Sequence, residues 1–373
     1  MKVVVVRESR PGERRVALVP AAVAKLTAAG LEVAVEPGAG EHARCTDDAY
    51  REAGAQVSDQ ALDGADVLAG VQAPTPQQLT RLAKGAISVS LLTVSGEAEL
   101  IRAAGDAGVG LFAMELVPRI SRAQSMDALS SQALVAGYRA GLVAAERFQG
   151  FFPLLMTAAG TLPPAKVLVL GAGVAGLQAI ATTKRLGAVV SGYDVRAAAA
   201  EEIRSLGARS IELDLPTLEG TGGYAREMAE DRARKQQELL APHIADSDVL
   251  ITTAAVPGRA APRLVTAQML AGMRPGSIAI DLAAETGGNI EGSVAGEEIT
   301  VGGVLLWGAQ NVPSQLPAVS SSLYANNIVN LLLLMTSDGT VTPDLDDEVV
   351  AGCCVTYDGQ VRNEAAKSLL EES

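Results

Sequence analysis

With 373 residues, 48% of them hydrophobic and 20% charged, the chain is long enough to bury two ordinary cores, and its net charge of −13 excludes an unspecific electrostatic grip on nucleic acid or anionic lipid. Three cysteines, Cys45, Cys353 and Cys354, show no CxxC spacing, and two histidines, His42 and His243, sit in no cluster of ligand-type residues. A reducing compartment, no disulfide and no metal site are therefore expected. The apolar run 1–6, closed by Arg7 and Glu8, reads as a first strand and lacks a signal-peptide layout. Of the two most apolar stretches, 128–148 carries Gln132, Arg139 and Glu146, and 328–335 is far shorter than the roughly 20 residues of a membrane span, so no direct membrane insertion is expected.

In chain order, residues 2–6, 31–35, 66–71, 86–92 and 109–113 read as strands, with helices at 21–29, 76–84 and 97–107. The strands are almost continuously apolar, the pattern of a parallel sheet covered on both faces. Residues 127–148 follow, rich in Ala and Leu with Asp127 as N-cap, and predict a linking helix roughly 30 Å long. A second series of strands, 166–170, 189–193, 210–213, 248–251, 277–281 and 304–307, fits a doubly wound dinucleotide fold. The apolar stretch 317–335 predicts a second long helix that returns to the first domain.

The fold class is thus α/β: two Rossmann-like doubly wound parallel-sheet domains joined by long helices, the second inserted in the first. Residues 1–127 and 315–373 form a flavodoxin-like domain, and 128–314 form the nucleotide domain with its linking helix. The tail beyond Ser337 is acidic and turn-rich, and 363–372 has the pattern of a short helix; no fold is assigned to the rest. The interval 214–240 is too long for a tight crossover and sets Gly220, Gly222 and Gly223 around Tyr224, which predicts a mobile loop, a candidate lid.

Gly171-Ala172-Gly173-Val174-Ala175-Gly176 follows strand 166–170 and opens the helical run 177–186. Gly171 permits the tight turn, Gly173 lets the backbone approach a pyrophosphate, Gly176 allows close helix–strand packing, and the helix N-terminus favours negative charge. Asp194 ends the next strand at the spacing of a ribose-binding carboxylate, which argues for NAD over NADP, with Arg196 beside it. The alternatives are a glycine-rich turn of any α/β protein and a solvated strand-end acid. Residues 252–258, after the fourth strand, are either a ligand-facing edge or a plain βα loop.

The most unusual stretch is 118–132, which collects Arg119, Arg122, Gln124, Asp127 and Ser130 at the expected hinge between domains. Read plainly, these are surface residues, and Asp127 with Ser130 caps a helix. Read together, they suit the carboxamide of a nicotinamide held in a cleft.

Residues 119–132, the fingerprint 171–178, the strand end Tyr193-Asp194-Val195-Arg196 and the loop 220–228 together closely resemble the NAD(H)-binding α subunit of proton-translocating transhydrogenase, from Lys2 to about Met335. That resemblance implies an NAD(P)+ transhydrogenase active only with partner subunits, with NAD(H) on this chain and NADP(H) on a β subunit. It also implies a homodimer docked on a membrane-spanning subunit, cytoplasmic and peripheral on the cytoplasmic face of the inner membrane. It places Gln124 at the nicotinamide, with Arg119, Asp127 and Ser130 as neighbours and Ile120 and Ser121 in the contacting run. It puts Gly173 and Val174 at the pyrophosphate and Asp194, Val195 and Arg196 on the adenosine side. Gly223 and Tyr224 fall in the closing loop, and Gln236 and Ala255 on further contacts.

Two other readings compete. Alanine dehydrogenase shares the two-domain pattern and the string 14–20, but its lysine and histidine fall in segments resembling 71–74 and 90–93, which here hold Gln72 and no histidine. A non-catalytic NADH-sensing module is the other.

Overall fold

The structure is a computed structural model that describes residues 1–215, 230–256 and 258–372. The chain folds into two compact units, Met1–Gln132 with Pro313–Ser373, and Ala133–Val312. The second is inserted in the first, and the helix Ala128–Arg147 carries the chain from one into the other.

In the first unit the strands Lys2–Val5, Glu32–Val35, Val67–Ala69, Ile87–Ser90 and Gly110–Ala113 pair in parallel, and Glu32–Val35 also pairs with the short Gln56–Val57. Alternation explains how one strand serves two cores: Val3 and Val5 join the cluster of Leu18, Leu26 and Tyr324, whereas Val4 joins Leu62 and Leu68 on the opposite face. The expectation of a purely parallel sheet is corrected by the tail. Cys354–Tyr357 adds antiparallel to Gly110–Ala113, and Gln360–Val361 hairpins onto it. The hairpin turns at Asp358 and Gly359, both left-handed at φ 50° and 70°, the Asp-Gly pair that a two-residue turn demands. The helix Glu364–Glu372 follows.

The helix expected at 76–84 is a single turn, Pro76–Leu79, started by a Thr75–Gln78 capping box. Beyond it the backbone bonds elsewhere: Arg81 O accepts from Gly64 N at 2.8 Å, and Ala83 N donates to Ala65 O at 2.9 Å. The helix Pro317–Leu334 is buried on most of its circumference. Its Tyr324 is fully buried and donates its hydroxyl to Gly70 O at 3.0 Å.

In the second unit the sheet runs Arg209–Ser210, Val189–Tyr193, Lys166–Leu170, Val249–Thr252, Ile278–Asp281, Val304–Gly308, Glu298–Val301. All pairings are parallel except the last, so the doubly wound order gains one antiparallel edge strand. Val167 and Val169 face one core, Leu168 and Leu170 the other. The order reverses beside Lys166–Leu170, so the carboxyl ends of its neighbours define where this sheet can bind a ligand. Among the described residues no helix is long and apolar enough to cross a membrane.

Tyr324→Phe keeps the ring and strands the buried Gly70 carbonyl. Equilibrium denaturation should show a loss of about 1 to 3 kcal/mol; an unchanged midpoint would mean that this hydroxyl contributes nothing.

Candidate nucleotide site

In the second unit, the strand Lys166–Leu170 passes through Gly171, at φ 97°, straight into the helix Val174–Arg185. Two of the three fingerprint glycines are fixed by contact. A Cβ on Gly176 would stand 1.8 Å from Gly171 O, and one on Gly171 would stand 2.6 Å from Thr253 Oγ1. Around Gly173 an added Cβ meets nothing within 4 Å among the described residues. Among the described residues that backbone is open, Gly173 and Val174 are exposed, and no side chain caps the helix. Uncapped N–H groups at a helix start, with the dipole behind them, suit a pyrophosphate.

Asp194 is tied to this turn. One carboxylate oxygen accepts from Ala172 N at 2.7 Å and the other from Arg196 N at 2.9 Å. The Arg196 side chain forks across both oxygens at 3.0 and 3.2 Å and donates to Ala172 O at 3.1 Å. Beside them opens a cavity of about 280 Å³, lined by Tyr193, Asp194, Arg196, Arg204, Ile211 and Arg232. Burial pushes the Tyr193 hydroxyl up to about 12, so it stays protonated there.

Thr253 anchors the fourth strand end by donating its hydroxyl to Gly171 O at 3.0 Å. The loop after it is stapled by the buried Asn289, which accepts from Ala254 N at 3.0 Å and donates to Ala254 O and Pro262 O, both at 2.8 Å, leaving Ala255 exposed. Gln236, 2% exposed, has an Nε2 donor with no hydrogen-bond partner among the described residues, an amide of the kind a ligand acceptor satisfies. Gly223, Tyr224, the rest of 216–229 and Pro257 lie outside the described residues.

The other predicted set lies in the first unit. Ile120 is extended, and Ser121–Met126 form two turns of 3-10 helix whose buried Ala123 and Met126 leave Ser121 and Gln124 exposed. Arg119 is exposed as well. The turn is held from three directions. Asn327 Nδ2 and Asn330 Nδ2 both donate to Ser125 O, at 2.9 and 3.0 Å, and Arg122 forks onto Asp347 at 2.8 and 2.9 Å. The Arg122 guanidinium pulls the Asp347 carboxyl down to about 2. Asp127 caps the linking helix: it accepts from Ser130 N at 2.8 Å and from Ser130 Oγ at 2.6 Å, so the plain reading of that pair holds whatever else it does. Sequence reasoning missed Asn289, Asn327 and Asn330. Nothing local marks an amide whose partner lies far along the chain.

Segment 71–74 has no base. Gln72 Nε2 donates to Glu13 at 2.7 Å, and Glu13 in turn pairs with Arg15 at 2.7 Å, both nearly fully buried. Beside them Glu8 accepts from Val71 N at 2.6 Å, and burial raises its carboxyl from 4.5 to about 7.

Family models for the alanine dehydrogenase/PNT N-terminal domain and C-terminal domain match residues 4–136 and 140–364. The chain belongs to the alanine dehydrogenase/PNT family. An NAD(P) transhydrogenase subunit alpha chain of Rhodospirillum rubrum is 47% identical over 97% of both chains. Alanine dehydrogenase of Mycobacterium tuberculosis is 30% identical over 98% of this chain and 95% of that one. The crystal structure of transhydrogenase from Sinorhizobium meliloti superposes with a TM-score of 0.89 at 46% identity, covering 97% of this chain and all of the other. Membership in this family, with transhydrogenase α subunits among its relatives at 41 to 47% identity, makes the chain part of an oxidoreductase that handles nicotinamide nucleotides.

Two outcomes follow. Gly176→Ala forces a carbon into a carbonyl and should lower the melting temperature sharply, whereas Gly173→Ala, with open space, should melt as the parent does; equal melting would mean that the turn can relax. For Glu8 the folded pKa lies above the free value, so the native state holds more protons between 4.5 and about 7, and stability is lost as pH rises through that window. Calorimetry should find this decline smaller in Glu8→Gln than in the parent, and parallel curves would clear Glu8 as the cause.

Proposed function

We propose that the chain is the NAD(H)-binding component of a proton-translocating transhydrogenase, passing a hydride between NADH and NADP+ held on a partner β subunit. The observation that carries this reading is the open backbone at Gly173 with the Asp194 carboxylate bonded to the same turn. In this reading Gly171, Gly173, Val174 and Gly176 serve the pyrophosphate. Asp194, Val195 and Arg196 serve the adenosine, and the carboxylate at 194 favours NAD over NADP. Gln236, Ala255 and the loop residues Gly223 and Tyr224 complete the contacts.

The exposed Arg119, Ser121 and Gln124, with the half-buried Ile120, serve the nicotinamide end, and Asp127 and Ser130 lie behind them. The bound ring gives or takes a hydride at C4 without releasing a proton at the reacting carbons. The chain's task is therefore alignment and exclusion of water, on the order of 7 to 11 kcal/mol in favourable cases. Gln124 and Arg119 fit that task, since both orient an amide and neither needs to change protonation. Gln72, bonded to Glu13 where alanine oxidation would need a lysine, speaks against the amino-acid reading.

The chain works in this reading as a homodimer, docked peripherally on a membrane-spanning subunit at the cytoplasmic face of the inner membrane. Phe151, Leu154 and Met156, the last 78% exposed, gather at the hairpin Leu155–Thr157 and Gly160–Leu162 and support self-association.

The test is reconstitution. Mixed with an NADP(H)-binding component, the chain should drive NADH-dependent reduction of an NADP+ analogue. Gln124→Asn should slow that transfer by about tenfold or more while leaving the Kd for NADH nearly unchanged. No transfer with both nucleotides bound would favour the sensing module, and NAD-dependent oxidation of alanine by the chain alone would overturn the proposal.

A further inference from the structure

The turn that carries Gln124 is connected to a buried ion pair by an unbroken line of hydrogen bonds inside the first unit. Glu13 and Arg15 lie at the start of it, with side chains 0% and 3% exposed. Glu13 accepts from Arg15 Nε at 2.8 Å, Arg15 Nη2 at 2.7 Å and the Arg15 backbone at 2.9 Å, which fixes the guanidinium plane. Arg15 Nη1 then donates to Gln132 Oε1 at 2.9 Å. Gln132 is 7% exposed, and its amide donates onward to Ser320 O at 3.2 Å and Ser131 Oγ at 3.1 Å. The Ser131 hydroxyl donates to Asn327 Oδ1 at 2.7 Å, and Asn327 Nδ2 donates to Ser125 O at 2.9 Å. Ser125 is the residue next to Gln124.

We infer that Arg15 and Gln132 are positioning residues for Gln124, setting the orientation of the turn Ser121–Met126 through Ser131, Asn327 and the Ser125 carbonyl. The inference rests on the reading of Gln124 as the residue at the nicotinamide. Two considerations separate it from ordinary core packing. Burying an ion pair is a poor way to gain stability, because desolvation offsets much of the attraction, and apolar residues of the same volume hold a core as well. What a polar line supplies is direction, since each bond has a preferred angle and each amide presents its donor and acceptor one way round. The line also reaches its target at the backbone, where an error of about 1 Å at an alignment residue costs up to a hundredfold in rate.

The test compares Gln132→Leu and Asn327→Leu, which cut the line at its middle and at its end, with Gln124→Asn in the reconstituted assay. Both cuts should slow hydride transfer by about tenfold or more, keep the NADH Kd within about threefold, and speed amide exchange at residues 121–127 even without nucleotide. Should Gln132→Leu fail to fold, Asn327→Leu decides alone. If Gln124→Asn slows transfer while the two cuts leave rate and exchange at parental values, the positioning line is wrong and the site stands. If Gln124→Asn is itself silent, the reading of the site fails and takes this inference with it.

Discussion

The carbonyl oxygen of Gly171 lies where a Cβ on residue 176 would be, 1.8 Å away, and the second unit is organised around that exclusion. Without a side chain at 176, the helix Val174–Arg185 can begin as soon as the strand Lys166–Leu170 ends, with its first amides exposed beside Gly173. The neighbouring strand ends then converge on the same few atoms. Thr253 donates to Gly171 O, and Asp194 accepts from Ala172 N. A parallel sheet puts these ends side by side, and the reversal of strand order leaves room above them.

Polar groups buried behind both sets of candidate residues do mechanical work rather than proton transfer. Asp281, fully buried, accepts from Thr252 Oγ1, Ala283 N and Ile290 N, each at 3.0 Å, and so ties the fourth strand end to the loop that bears Asn289. Glu13 and Arg15 play the corresponding part in the first unit. Satisfied networks of this kind rigidify a core at the cost of desolvation, an exchange that suits the alignment chemistry proposed for this chain.

Much of this was readable from residue order. The near-continuous apolar runs at 2–6 and 166–170 announce strands covered on both faces, and the glycine spacing with Asp194 announces the turn, because each signal is local and sterically forced. The strand Cys354–Tyr357 escaped because it pairs with Gly110–Ala113, a contact between distant segments, although the Asp358-Gly359 turn beside it was in plain view. The helix expected at 76–84 was cut short by tertiary hydrogen bonds from Gly64 and to Ala65 that periodicity does not register. Asn327 and Asn330 looked like ordinary polar positions on the apolar helix Pro317–Leu334; their meaning depends on the carbonyl of Ser125.

The tail strands bear on how the first unit meets its surroundings. By covering Gly110–Ala113, they leave that eight-stranded sheet with two-residue strands at both margins, Gln360–Val361 on one side and Gln56–Val57 on the other. A margin so short offers almost no free ladder on which a foreign strand could template itself. Pairing through this sheet's margins is therefore left to side-chain surfaces, which are selective, and is shielded from backbone-driven polymerisation, which is not.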